Sequence, residues 1–382
     1  MTDQSSSHKL AITCDLGGSL TKAIAQVYPS GIPELMTMSP QVADVEKESV
    51  TGISVDRNAV DSAWVGIAGE YYVLGSLSKT MFAGTASLRE SKYRYALPKL
   101  ASLLWQACRK FNFNEADAFI HLLLPPGEIK DAETLKKQFS TALKSGIITP
   151  SRKLKVKLRN FYVSAEGSGI LSYRRASLGE LYAQKKIGIL MLGYRNASFT
   201  LIEKGGQTQA ESNNLGMSWV VQRFTQLTAV GLSKDDPLLL EALVAASGGN
   251  LQALASLSRK SKHSEIAADL KLFVDSVSVV RREYSRALVR WIRNIAVLDE
   301  VLVCGGTGAF VHQELTEHFQ KEGIPIVWNG GVHFPASLDT YKLGERICDV
   351  WIAHINYIKM VDLNLGYERK GPLHPDSNKS RT

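Results

Sequence analysis

The residues best suited to chemistry begin near the N-terminus, in Cys14-Asp15-Leu16-Gly17-Gly18-Ser19-Leu20-Thr21-Lys22. An acid, a glycine pair, a hydroxyl and a lysine fall in one short turn between apolar runs, Leu10-Ala11-Ile12 and Ala23-Ile24-Ala25-Gln26-Val27. Glycines let the backbone approach an anion closely and turn its N–H groups inward. Lys22 could neutralise phosphate charge, and Asp15 could hold Mg²⁺ through its water shell. The same letters also fit a hairpin with a polar turn and a solvated lysine.

Further stretches carry comparable chemistry. Glu166 stands at a strand end, before a helical run from about Ile170 to Gln184. A glutamate there also fits a helix N-terminus by charge alone. Gly193-Tyr194-Arg195-Asn196 follows the apolar run from Ile187 to Leu192, and Gly305-Gly306-Thr307-Gly308 follows Glu300-Val301-Leu302-Val303-Cys304. Gly216 opens a helix at Leu215-Gly216-Met217. A glycine turn between a buried strand and a helix is the setting of a nucleotide loop. His121 lies in an apolar strand and reads as a core histidine. No Ser/His/Asp or Cys/His arrangement has a supporting motif.

The elements that must position these residues follow from periodicity. A three-stranded meander is expected from Lys9 to about Met38, and a hairpin from Trp64-Val65-Gly66-Ile67 and Tyr71-Tyr72-Val73-Leu74. Residues 39–62 read as polar and mixed, and 76–94 as loop. Leu97, Leu100, Leu104, Cys108 and Phe111 keep helical spacing, and Ala118 to Leu124 is a doubly buried strand. Asp131 can cap the next helix. Leu154, Val156 and Leu158 alternate with basic residues, as in a lysine-protected edge strand. The stretch from Ile187 repeats the strand–glycine turn–strand order of the N-terminus, which predicts two halves of related topology. The second half reads as mostly helical, including a long helix from Ser264 to Arg293. Arg282, Arg286, Arg290 and Arg293 form a basic stripe on it, in first reading a solvated face. The last helix spans about Leu343 to Tyr357. Residues 1–8 and the tail 367–382 carry no apolar period and are expected to be disordered.

Composition sets bounds. The chain has 382 residues, 45% hydrophobic and 21% charged, enough for two domains. Lys and Arg number 45 against 37 Asp and Glu, a net charge of +8. This permits a polyanionic partner but lacks the dense basic tract of a dedicated DNA binder. Direct DNA contact therefore has no support. Cys14, Cys108, Cys304 and Cys348 show no metal spacing and read as reduced core residues of a cytoplasmic protein. No apolar stretch approaches a membrane span.

In chain order, Asp15-x-Gly17-Gly18…Lys22, then Glu166, Gly193-Tyr194-Arg195-Asn196 and Gly305-Gly306-Thr307-Gly308 resemble the motifs of the actin, heat-shock-chaperone and sugar-kinase superfamily. Length and the lack of large insertions look most like the bacterial actin-like ATPases of the ParM/StbA plasmid-segregation type. The resemblance covers about Leu10 to Tyr357. It implies an α/β, actin-like ATPase fold of two related domains, 9–168 plus 335–366 and 169–334, around a nucleotide cleft. It implies ATP and Mg²⁺ as cofactors and self-assembly into a homopolymer filament, with a DNA-bound adaptor as a further partner. By the same resemblance Asp15 would hold the Mg²⁺ hydration shell, and Gly17, Gly18, Ser19 and Lys22 would cradle the phosphates. Glu166 would position the attacking water. Gly193, Tyr194, Arg195 and Asn196 would close on the phosphates, Gly216 would face the nucleotide, and Gly305, Gly306, Thr307 and Gly308 would pass under the adenosine. One position departs: Met191 stands where the second phosphate loop normally begins with an aspartate, so hydrolysis could be slow or lost. A small-metabolite kinase of the same fold and a non-hydrolysing scaffold remain as alternatives.

Overall fold

The computed structural model describes residues 8–56, 59–86, 92–234 and 236–374. The chain divides into two compact units, Met1–Tyr173 with Val332–Thr382, and Arg174–Gly331.

The first unit opens with the expected meander of β1 (His8–Leu16), β2 (Thr21–Tyr28) and β3 (Glu34–Met38). Beyond it come β4 (Val42–Val45), α1 (Lys47–Val50), β5 (Ser62–Ile67), β6 (Glu70–Gly75) and α2 (Ser76–Met81). Then follow α3 (Ala96–Lys110), β7 (Glu115–Leu124), α4 (Ala132–Ser145), β8 (Lys155–Ala165) and α5 (Ser168–Leu178), within which the chain passes to the second unit. The main sheet has the order β3-β2-β1-β7-β8. Its first three strands are antiparallel, and β1, β7 and β8 run parallel. Alternation along β1 explains its continuous burial. Leu10, Ile12, Cys14 and Leu16 join a core with Leu100 and Leu104 of α3. Ala11, on the opposite face, packs with Phe119, Tyr357 and Ile358.

Three local readings need correction. Residues 39–62 are not featureless, since β4 pairs with β6 and makes the expected hairpin a small three-stranded sheet. Within the expected loop 76–94 lie α2 and a 3₁₀ turn, Lys92–Tyr95, while 87–91 fall outside the described residues. These segments are too short and polar to show a period. Asp131 makes no capping bond, because the 3₁₀ turn Pro126–Asp131 already leads into α4.

The second unit contains β9 (Ile187–Leu192), β10 (Ala197–Glu203), β11 (Gly206–Asn213), α6 (Met217–Thr228), α7 (Pro237–Ser247) and α8 (His263–Ile295). It closes with β12 (Glu300–Cys304), α9 (His312–Lys321) and β13 (Ile326–Trp328). Its sheet order is β11-β10-β9-β12-β13. The antiparallel meander β9–β11 and the parallel set β9, β12, β13 repeat the plan of the first sheet. The weak sequence repeat is therefore a repeat of topology. Helix α8 buries Phe273, Val277, Val280, Tyr284 and Leu288 against this core. The arginine stripe lies on its exposed face, where Arg293 reaches Glu322 at 3.0 Å.

The chain re-enters the first unit and ends in α10 (Cys348–Leu365), which packs on β1, β2 and β7. The segment after it is anchored as far as His374, against the expectation of disorder from 367. Arg369 pairs with both oxygens of Asp362 at 2.8 and 2.9 Å and donates to the Pro29 carbonyl at 2.7 Å. At the other terminus, His8 already belongs to β1 and stacks on Phe113. Residues 1–7 and 375–382 lie outside the described residues.

One buried acid governs the second unit. Glu300 is 1% exposed and is gripped by Arg174 at 2.7 Å and Lys185 at 3.2 Å. Burial alone would raise its carboxyl, but these cations outweigh burial and hold it below the ordinary range. Glu300→Ala should cost about 2–4 kcal/mol, read from urea titrations at pH 7. A depressed carboxyl gives stability present above its unfolded pKa and lost as pH falls through the folded value. The wild-type and variant curves should therefore converge in acid, and a gap of constant size down to low pH would contradict this account.

Candidate functional site

In each unit the chemistry-bearing loops leave the carboxyl ends of parallel strands. Asp15 lies near the end of β1, opposite Leu123 of β7, which pairs with Ser164 of β8. Glu166 follows directly, its N–H donating to the Leu124 carbonyl at 2.8 Å. The fold thus brings Asp15 and Glu166 to one sheet end.

The turn between β1 and β2 holds Gly17, Gly18 and Ser19. A Cβ on Gly17 would stand 2.4 Å from the Leu20 carbonyl oxygen, so this turn accepts only glycine without moving. Asp15 and Lys22 face each other across the β1–β2 ladder, and their charged atoms meet at 2.7 Å. Only 16% and 15% of these side chains is exposed. Lys22 Nζ also donates to the Arg346 carbonyl at 3.1 Å.

Two residues at this sheet end escaped sequence reasoning. Arg346, in the 3₁₀ turn Gly344–Ile347, donates through Nη2 to Ser19 Oγ at 3.3 Å. Asp349, in the first turn of α10, accepts from the Gly167 N–H at 2.8 Å and the Ile170 N–H at 3.4 Å. It caps the start of α5 from a different helix and fixes the backbone beside Glu166. Burial pushes the Asp349 carboxyl up to about 6; the Gly167 N–H opposes this, and the charges of Asp15 and Glu166 add to it. Neither residue sits in a glycine-bearing strand end, so no motif signalled it.

In the second unit, Gly193–Asn196 follows β9 and Gly305–Gly308 follows its parallel neighbour β12. These loops are tied together. Thr307 donates through Oγ1 to the Gly193 carbonyl at 2.8 Å and through its N–H to the Leu192 carbonyl at 3.1 Å. The first N–H groups of α6 are already used, Met217 on the Gly193 carbonyl at 3.1 Å and Ser218 on the Tyr194 carbonyl at 2.9 Å. Gly216 has a packing reason, because a Cβ there would meet the Tyr194 oxygen at 2.3 Å and Asn196 nitrogen at 2.6 Å. Met191 is half-buried on β9, opposite Cys304 of β12.

Mg²⁺ takes few protein carboxylates and keeps most of its waters. Asp15, partly exposed at a strand end, fits that mode. Among the described residues, no three His, Cys, Asp or Glu side chains gather closely enough to hold a metal by themselves. Cys14, Cys108, Cys304 and Cys348 are buried, and no described helix is long and apolar enough to cross a membrane. A cavity of about 320 Å³ in the first unit, lined by Ile32, Leu35, Lys110 and Leu338 among others, contains none of the site residues.

A repeated sheet of this order, with glycine loops at the strand ends of both halves, defines the actin-like fold. The resemblance read from the motifs holds at that level, for the solved structures similar to this chain include ParM proteins and an archaeal actin homologue. Bacillus thuringiensis ParM with ATP superposes with a TM-score of 0.60 at 12% identity, over 92% of this chain and 99% of that one. The Alp12 filament structure gives 0.51 at 14% identity, again over 92% and 99%. Ta0583, an archaeal actin homologue, gives 0.54 at 13% identity, with the same coverage. No protein-family model matches the sequence, and no curated protein does.

Asp349 generates a prediction of definite sign. Its carboxyl is raised, so its contribution to stability is present below the unfolded pKa and lost as pH rises to about 6. Relative to Asp349→Asn, the wild type should lose about 2–3 kcal/mol between pH 4 and 7 in denaturant titrations. Parallel profiles for the two proteins would show that the carboxylate is not strained.

Proposed function

We propose that the chain is a nucleotide-dependent, filament-forming actin-like protein that binds ATP with Mg²⁺ and hydrolyses it. The observation that carries this reading is the meeting of Asp15, Ser19, Lys22 and Glu166 at the carboxyl ends of parallel strands, where open α/β sheets bind ligands. The Gly17–Ser19 backbone and Lys22 would hold the terminal phosphates by N–H groups and charge. Asp15 would hold Mg²⁺ through water, and the ion when bound would supply further neutralisation of phosphate charge. Glu166 would orient the attacking water, its backbone fixed by Asp349. Gly193, Tyr194, Arg195 and Asn196 would add contacts to phosphate, and Gly305 to Gly308 would contact adenosine. Gly216 serves this set by letting the Tyr194–Asn196 backbone sit against α6.

Self-assembly is supported by the fold shared with the Alp12 filament structure. Binding of ATP is supported by the fold shared with a ParM solved with it. Plasmid or DNA segregation in the cytoplasm, through a DNA-bound adaptor, rests on the motif resemblance. A second reading, a scaffold that binds nucleotide and hydrolyses it slowly, is favoured by Met191. It removes a carboxylate from the second loop, whereas phosphoryl transfer depends on positioning and charge stabilisation.

Light scattering with ATP, ADP and a non-hydrolysable analogue, run beside phosphate release, separates these readings. ATP-dependent polymer with turnover is expected, and persistent monomer under every nucleotide would remove the filament reading. Polymer without phosphate release would select the scaffold. Glu166→Ala should slow phosphate release by roughly 100-fold or more while ATP still binds. Wild-type turnover in that variant would mean that the water-positioning residue lies elsewhere.

A further inference from the structure

We propose that Arg346 is a phosphate-binding residue of the first unit's glycine turn, reaching it from the segment that opens α10. The inference deepens the nucleotide reading above and rests on it. Arg346 is 327 positions from Ser19 in sequence, yet its Nη2 lies 3.3 Å from Ser19 Oγ. Its carbonyl accepts from Lys22 Nζ at 3.1 Å. The segment is therefore tied to both sides of the turn, by side chain at Ser19 and by backbone at Lys22.

Arg346 is the cation at this turn whose side-chain bond goes to a neutral group. Lys22 is engaged with Asp15 at 2.7 Å. Asp349 directs its two oxygens at the Gly167 and Ile170 N–H groups. The Arg346 guanidinium donates to a neutral hydroxyl, which satisfies little of its donor capacity. Burial lowers its pKa, and the Asp15 charge acts in the opposite sense. A desolvated guanidinium gains from a doubly hydrogen-bonded anion, and its planar fork matches phosphate oxygens. The ligand class is the terminal phosphates of a nucleoside polyphosphate. Because the charge belongs to a side chain, its contribution persists when divalent cation is withdrawn.

Calorimetric titration of the full chain with ATP and with adenosine, in Mg²⁺ and in EDTA, tests this. Arg346→Ala should weaken ATP binding ~10–100-fold in both buffers and leave adenosine unchanged. The variant keeps the carbonyl that Lys22 uses. Arg346→Lys should restore part of the affinity, since a point charge lacks the fork. Circular dichroism checks folding, and if the alanine variant is unfolded, the lysine variant carries the test by its own loss of ATP affinity. Unchanged ATP affinity in the folded variants overturns the proposal, and so does an equal loss for adenosine. A wild-type chain that binds ATP in neither buffer overturns the nucleotide reading itself, a result distinct from a silent variant.

Discussion

Burial of both faces of β1 is the constraint on which the first unit depends. Leu10, Ile12, Cys14 and Leu16 are claimed by the core that includes α3, and Ala11 packs with Tyr357 and Ile358 of α10. A strand covered on both sides leaves polar chemistry little room except at its ends. At the carboxyl end the chain must turn back into β2, and it does so through Gly17 and Gly18. The same geometry recurs at β9 and β12, where Gly193 and Gly305 follow parallel neighbours.

This constraint decides what could be read from the sequence. Apolar runs such as Ala118–Leu124, and the glycine turns after them, are local signals, so the meanders, the parallel strands and the long helix α8 were legible. Short polar elements such as β4 and α2 were not, since their places depend on pairing with β6 and packing in the small sheet. Arg346 and Asp349 were invisible for a different reason. Neither belongs to a motif, and each reaches the sheet end through the return of the chain, across 327 and 182 positions. Gly216 was found as a helix opener, but its reason is steric: it admits the backbone of another loop.

Electrostatics at the first sheet end is a balance of near neighbours. Asp15 is matched by Lys22, and Asp349 by backbone N–H groups at the start of α5. That second arrangement gives α5 a cap its own sequence lacks, because Gly167 has no side chain to offer. The carboxyl that caps it is strained upward by burial and by the charges of Asp15 and Glu166. A cation or N–H donor added near these acids relieves that strain, while a further acid would deepen it.

What holds Arg346 and Asp349 in place is a polar seam inside an otherwise apolar interface. Thr13, two residues before Asp15, bonds through Oγ1 with His354 Nδ1 at 3.0 Å, and His354 Nε2 meets Gln26 Oε1 at 3.1 Å. Tyr357 donates to Asn160 at 3.0 Å, and His121 meets Ser164 at 2.8 Å. Apolar contact alone would let α10 slide or turn on the sheet at small cost. Directional bonds to β1, β2 and β8 favour one rotation and one height, because another placement would break them. Burial holds both histidines down to about 3, so the seam stays neutral and its pattern of donors does not change near neutral pH. The helix face that carries His354 and Tyr357 thereby sets the position of the turn five residues earlier, where Asp349 meets Gly167. The reach of the site's two hidden residues is thus determined by hydrogen bonds buried beneath it.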